Sequence, residues 1–137
     1  MNKLIIHTDG GARGNPGPAG IGVVFKQDDG MIIGQHQQYI GEATNNVAEY
    51  KALLLGLSEA KNLGAEVLEI NMDSELVVKQ MNGQYKIKDS NLKLLAEEVL
   101  KQLKHFKNVA FRHVRREFNK DADKLVNEAI DQALQGK

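Results

Sequence analysis

A chain of 137 residues with 42% hydrophobic content is sized for one domain with a real core and is too short for two. It holds no cysteine, which excludes a disulfide framework, a thiol nucleophile and a zinc–thiolate site. The formal net charge is zero, which argues against a uniformly basic binder of polyanions, but the charge is unevenly laid out. Residues 1–78 hold 5 Lys or Arg against 10 Asp or Glu, residues 79–120 hold 11 against 4, and residues 121–137 hold 2 against 4. A polyanion could meet the basic middle segment while acids from the flanks gather cations. A solvated helix face accounts for the same lysines equally well.

The chain opens on a short apolar run rich in β-branched residues, Leu4-Ile5-Ile6, which reads as a largely buried strand with Asp9 at its end. The stretch from Gly10 to Pro18 carries both prolines and four glycines, so a sharply specified turn is expected there, open to close approach by another backbone. Asp9 taken alone is a turn carboxylate as readily as a chemical group. Ile21 to Lys26 reads as a second strand, Gln27-Asp28-Asp29-Gly30 as a hairpin turn, and Met31 to Tyr39 as a third strand, together an antiparallel meander.

Thr44-Asn45-Asn46-Val47-Ala48-Glu49 opens a helix in which Val47, Tyr50, Leu54 and Leu57 recur at helical spacing. It is expected to end at Leu63, with Gly64 as a left-handed cap. With Asn46 as the N-cap, Glu49 falls at the third helical position and could simply complete a capping box. The second asparagine exceeds what a cap requires. Val67 to Met72 reads as a fourth strand, parallel to the first and beside it through a right-handed crossover, so that Asp9 and Asp73-Ser74 project into one crevice.

Glu75 to Met81 reads as a short helix and Ser90 to about His105 as a longer one bearing Lys93, Lys101 and Lys104. Val109 to Val114 is a fifth strand. Arg115-Arg116-Glu117-Phe118 leads into a last helix from Asn119, whose apolar stripe places Asp123 beside the buried face in the second turn. Asp121 and Asp123 also suit a helix N-terminus electrostatically. His7, His36, His105 and His113 lack metal-ligand spacing.

Four acids from distant parts of the chain are thus expected near one another. Two carboxylates about 4 Å apart repel by roughly 4 kcal/mol at an effective dielectric near 20, so such a cluster calls for bound cations. Oxygen-only ligands favour magnesium or manganese over zinc, and a pair of such ions suits in-line displacement at phosphorus. The chemistry implied is phosphodiester hydrolysis.

Thr8-Asp9-Gly10 followed by Gly14-Asn15-Pro16-Gly17, then Thr44-Asn45-Asn46 with Glu49, then Asp73-Ser74, then Asp123 preceding Leu125 and Asn127, occur in the order and context of one family. Over nearly its whole length the sequence resembles the type 1 ribonucleases H. The resemblance implies a single α/β domain of ribonuclease H-like fold over residues 1–137, with a five-stranded mixed sheet ordered 3-2-1-4-5 and helices on both faces. It implies that Asp9, Glu49, Asp73 and Asp123 are catalytic and hold two Mg²⁺ or Mn²⁺ ions for cleavage of the RNA strand of an RNA·DNA hybrid. It further implies that Asn15, Asn45 and Asn46 contact the minor groove, where 2′-hydroxyls distinguish RNA from DNA. Thr44 would contact a phosphate, and Gly10, Gly11 and Ser74 would join the substrate surface.

Two departures accompany the resemblance. Some members carry a long basic protrusion with tryptophans, whereas the stretch around Lys86-Ile87-Lys88 is short and the chain has no Trp, which implies weaker hybrid affinity. Many members place a histidine in the loop before the last acid. Here that loop has none, and Glu117, with Arg115 and Arg116, is the candidate for an auxiliary role in product or metal release. The alternative function is a non-catalytic or weakly active hybrid-binding module on the same fold. Whether double-stranded RNA is a second substrate stays open. With no run of eighteen apolar residues and a strand pattern directly at the N-terminus, a soluble, cytoplasmic, monomeric protein that engages no membrane is expected.

Overall fold

The computed structural model describes residues 2–135. Its strands are β1 (Lys3–Ala12), β2 (Gly17–Lys26), β3 (Ile32–Ala43), β4 (Val67–Met72) and β5 (Asn108–His113). Its helices are α1 (Asn45–Asn62), α2 (Glu75–Met81), α3 (Ser90–Leu103) and α4 (Lys120–Gln135). The strands form one sheet in the order β3-β2-β1-β4-β5. β1 to β3 are an antiparallel meander, and β4 and β5 add in parallel to β1. This is the order the resemblance implied, with the crossover through α1 placing β4 directly beside β1.

Side-chain alternation divides the sheet into two covered faces. Ile6, Val23 and Phe25 join Leu53 and Leu57 of α1 and Val99 of α3 in the main core. Leu53 and Leu57 are fully buried, and each contributes about 1.5–3 kcal/mol relative to an exposed position. On the other face Val24 packs with Ala122 and Leu125 of α4. The expected stripe of α4 is the buried one, through Ala122, Leu125, Val126, Ala129 and Ile130. Gly22 explains how α4 comes so close, because a Cβ there would press on Ala122 O and on Leu125 Cβ at 2.8 Å.

Several local readings change, among them the start of β2, which lies at Gly17 rather than Ile21, and the place of Asp123, which falls in the first turn of α4 rather than the second. β1 continues past Asp9 to Ala12, because residues 9–12 remain paired with Gly22, Ile21, Gly20 and Ala19 of β2. Asp9 therefore lies within the strand, and the turn contracts to residues 13–16. β3 likewise runs beyond Tyr39 to Ala43, resuming its pairing with β2 after an irregularity in register. The N-cap of α1 is Thr44, not Asn46: its Oγ1 accepts from Val47 N at 3.2 Å. Glu49 thereby falls two residues beyond the capping-box position and is released from that role. Gly64 does take the left-handed conformation expected after α1, with φ of 75°. Among the described residues no helix is long and apolar enough to cross a membrane.

Candidate metal centre

Three carboxylates meet where the sheet, α1 and the β4–α2 junction adjoin. Asp9 comes from within β1, Glu49 from the second turn of α1 and Asp73 from the residue after β4. One oxygen of each lies within 4.8 Å of the others. Parallel pairing of Thr8 with Met72 sets Asp9 and Asp73 side by side. Glu49 is aimed by β1 itself, since its Oε1 accepts from Gly10 N at 2.6 Å. That approach requires glycine, because a Cβ at residue 10 would run into the backbone of Ala48. Asp123, in the first turn of α4, lines the same cavity of about 360 Å³ but stands outside the three-carboxylate group.

The cluster is electrostatically strained as a set of bare anions. Burial, then the charges of Glu49 and Asp73, push the Asp9 carboxyl far above the ordinary carboxylate range, with Asp123 adding to the effect. Burial raises Glu49 too, partly opposed by the Gly10 N–H bond. Asp73 is raised by burial and held back by the Asn119 amide and the Arg116 guanidinium. Two charges at the 4.8 Å limit repel by about 3.5 kcal/mol at an effective dielectric near 20. A hard divalent cation fits this donor set: the grouped ligands are all carboxylate oxygens, with no thiolate or imidazole among them.

A row of amides borders the cluster. Asn15 Oδ1 accepts from Asn45 N at 3.0 Å, and Asn45 Oδ1 accepts from Ala12 N at 2.8 Å. Both carbonyl ends are thus engaged in locking the turn to the start of α1, which orients each Nδ2 as the donor left to offer. Asn45 and Asn46 line the acidic cavity. Together with Asn15 and Thr44 they also line an adjoining cavity of about 350 Å³ that reaches Asp89 and Asn91. Thr44 Oγ1 accepts the capping bond and keeps its proton to donate. Ser74 caps α2 through Val77 N at 3.2 Å and also lines the acidic cavity, as do Gly10 and Gly11.

The loop candidates separate. Arg116 lines the cavity, whereas Glu117 and Arg115 are outside its lining. Glu117 Oε1 sits 3.2 Å from Arg115 Nε, and Arg115 also lies over the exposed ring of Phe118.

A family profile described as reverse transcriptase-like matches residues 7–129, a span that holds all four acids. The chain belongs to the type 1 ribonuclease H family. It is 45% identical over 134 residues to a bifunctional protein of Mycobacterium tuberculosis, covering 97% of this chain and 37% of that protein. It is 42% identical over 131 residues to ribonuclease HI of Halobacterium salinarum, covering 96% of this chain and 66% of that one. The chain therefore spans less than two thirds of the length of these curated relatives. Among solved structures, LC11-RNase H1 in complex with an RNA/DNA hybrid superposes with a TM-score of 0.92 at 48% identity, over 96% of this chain and 99% of that one.

Beside this carboxylate cluster, one residue that the sequence did not single out has a central place. Asn119, read only as the start of the last helix, is 1% exposed. Its Nδ2 donates to Thr8 O at 2.9 Å, its Oδ1 lies 3.0 Å from His7 Nδ1, and its amide stands near enough to Asp73 to favour the ionised carboxylate. Burial pushes His7 down, so the neutral imidazole with a proton on Nδ1 serves that bond. One amide thus ties the entrance of α4 to the strand bearing Asp9. Nothing local marks it, because an asparagine at a helix start is ordinary. His113, read as an unremarkable strand residue, ends β5 close enough to Asp73 to lower its carboxyl electrostatically.

Proposed function

We propose that the chain is a divalent-cation-dependent endoribonuclease that hydrolyses the RNA strand of RNA·DNA hybrids. The observation that carries this reading is the convergence of Asp9, Glu49 and Asp73 within 4.8 Å, with Asp123 on the same cavity and oriented asparagine amides along its border. Membership of the ribonuclease H family and 48% identity to a protein solved with an RNA/DNA hybrid support it.

In this proposal the four carboxylates hold two Mg²⁺ or Mn²⁺ ions, which when bound supply charge neutralisation and Lewis acidity for in-line displacement at phosphorus. The chain's own groups hold the parts in place. Gly10 N–H fixes Glu49, and the Asn119 amide favours the ionised form of Asp73. The Nδ2 groups of Asn15 and Asn45, with Asn46 beside them, face the minor groove, where the 2′-hydroxyl marks an RNA strand. Arg116, next to Asp73 on the cavity, offers a guanidinium to the phosphate backbone.

The test is cleavage of end-labelled hybrid, double-stranded RNA and DNA duplex, with Mg²⁺, with Mn²⁺ and with chelator. Internal cleavage of the hybrid's RNA strand is expected, abolished by chelator. Asp9→Asn or Asp73→Asn should lower it by about 10²-fold or more while the protein stays folded. Cleavage unchanged in those variants marks a contaminant. Tight hybrid binding by the wild-type protein with no cleavage under any metal establishes the binding-module alternative instead.

A further inference from the structure

We infer that Arg13 is a phosphate contact for the RNA strand, with its guanidinium oriented by Asp131 and Asn127; the inference rests on the hybrid-nuclease reading above. Two guanidinium groups line the acidic cavity, Arg13 and Arg116. They approach from different elements. Arg116 stands in the loop after β5, beside Asp73, whereas Arg13 stands on the turn between β1 and β2, beside α4. A polyanionic strand drawn across four carboxylates needs cationic side chains flanking them, and guanidinium is the group best matched to phosphate.

The contacts of Arg13 are those of a group being held rather than consumed. Its Nη2 lies 2.7 Å from Asp131 Oδ1, 3.3 Å from Asn127 Oδ1 and 3.5 Å from Asn127 O. All three use one nitrogen. A guanidinium offers five N–H donors in a rigid plane, so fixing one corner orients the remaining edge without engaging it. The side chain keeps 41% exposure, and Asp131 keeps 54%, so solvent screens the pair and the positive charge is only partly neutralised. The backbone is held as well, with Arg13 N donating to Pro18 O at 2.8 Å. An exposed ion pair contributes little to stability, which leaves two α4 side chains on one guanidinium in want of another purpose.

The competing account is a staple between the turn and α4, and the two differ in what salt does. Hybrid affinity is measured by anisotropy in the Asp9→Asn background, from about 50 to 200 mM salt, for Arg13→Ala, Arg13→Gln and Asp131→Asn. Loss of one phosphate contact reduces the slope of log Kd against log salt by about 0.7–0.9 and weakens binding about tenfold at the low-salt end. Both Arg13 variants should show this, and Asp131→Asn should keep the parental slope. Arg13→Gln retains hydrogen-bonding capacity toward α4, so it reads the charge separately from the staple. If Arg13→Ala and Asp131→Asn act alike, shifting the melting temperature and leaving the slope unchanged, Arg13 is a staple and the inference is overturned. If the parent itself does not bind hybrid, the hybrid-nuclease reading fails, and this inference with it.

Discussion

Gly10 N–H donates to Glu49 Oε1 across 2.6 Å, joining the strand that carries Asp9 to the helix that carries the second acid. The bond exists because residue 10 has no side chain, so the backbone of Ala48 lies directly on β1. Gly10→Ala should force α1 away from the strand and take Glu49 out of the cluster. Overpacking of this kind destabilises by about 1–3 kcal/mol or more, and here the displaced element also carries one of the three clustered carboxylates. Urea denaturation should report the stability loss, and hybrid cleavage should fall with it.

The pH dependence of stability without metal follows from the raised carboxyls. Asp9, Glu49 and Asp73 hold protons more tightly in the folded state than in the unfolded one. Their stabilising contribution is therefore complete below the unfolded carboxylate value near 4 and is lost as pH rises through the raised folded values. In chelator the melting temperature should fall as pH is raised from about 5 to about 8. Asp9→Asn should flatten the dependence and raise stability at the alkaline end. Added Mg²⁺ or Mn²⁺ should raise the melting temperature most where the wild-type carboxyls are ionised, and little in the Asp9→Asn protein. Calorimetry in matched buffers checks all three outcomes.

Asn119 predicts a coupled loss. Replacing it by Ala strips Thr8 O and His7 Nδ1 of a partner inside the fold and removes a dipole that favours the Asp73 carboxylate. Buried groups left unpaired cost about 1–3 kcal/mol each. Loss of a group that orients a metal ligand lowers metal affinity by about 10–100-fold. Denaturation and Mn²⁺ titration measure the two separately. A variant that loses stability yet binds Mn²⁺ as the wild type does would confine Asn119 to a structural role.

Thr8 predicts a gain. Its Oγ1 is fully buried without a hydrogen-bond partner, and its methyl packs toward Gly56 of α1. Thr8→Val keeps the shape and removes the unsatisfied hydroxyl, so stability should hold or rise by about 1 kcal/mol. Thr8→Ala should instead destabilise by leaving a void. A melting comparison of the two variants decides it.

The sequence by itself determined the order and type of the strands and α-helices, and it pointed to Asp9, Glu49 and Asp73 as acids that meet. Both rest on local patterns: an apolar run rich in β-branched residues such as Leu4 to Ile6, the helical spacing of Leu125, Val126, Ala129 and Ile130, and motif residues in series. The bounds of β4 and α2 agree with the reading residue for residue. Tertiary structure decided what each polar group does. Asp9 lies within its strand because β2 pairs with the glycines after it. Glu49 left the capping box because Thr44 took the cap and the Gly10 amide took its carboxylate. Asp123 shares the cavity without joining the tight three, and Asn119 binds Thr8 and His7 of β1 from a position that looked like a plain helix start. Periodicity is set by neighbours along the chain. Hydrogen-bond partners and desolvation are set by neighbours across it, and residues 8 and 119 become neighbours only once α4 has packed on the sheet.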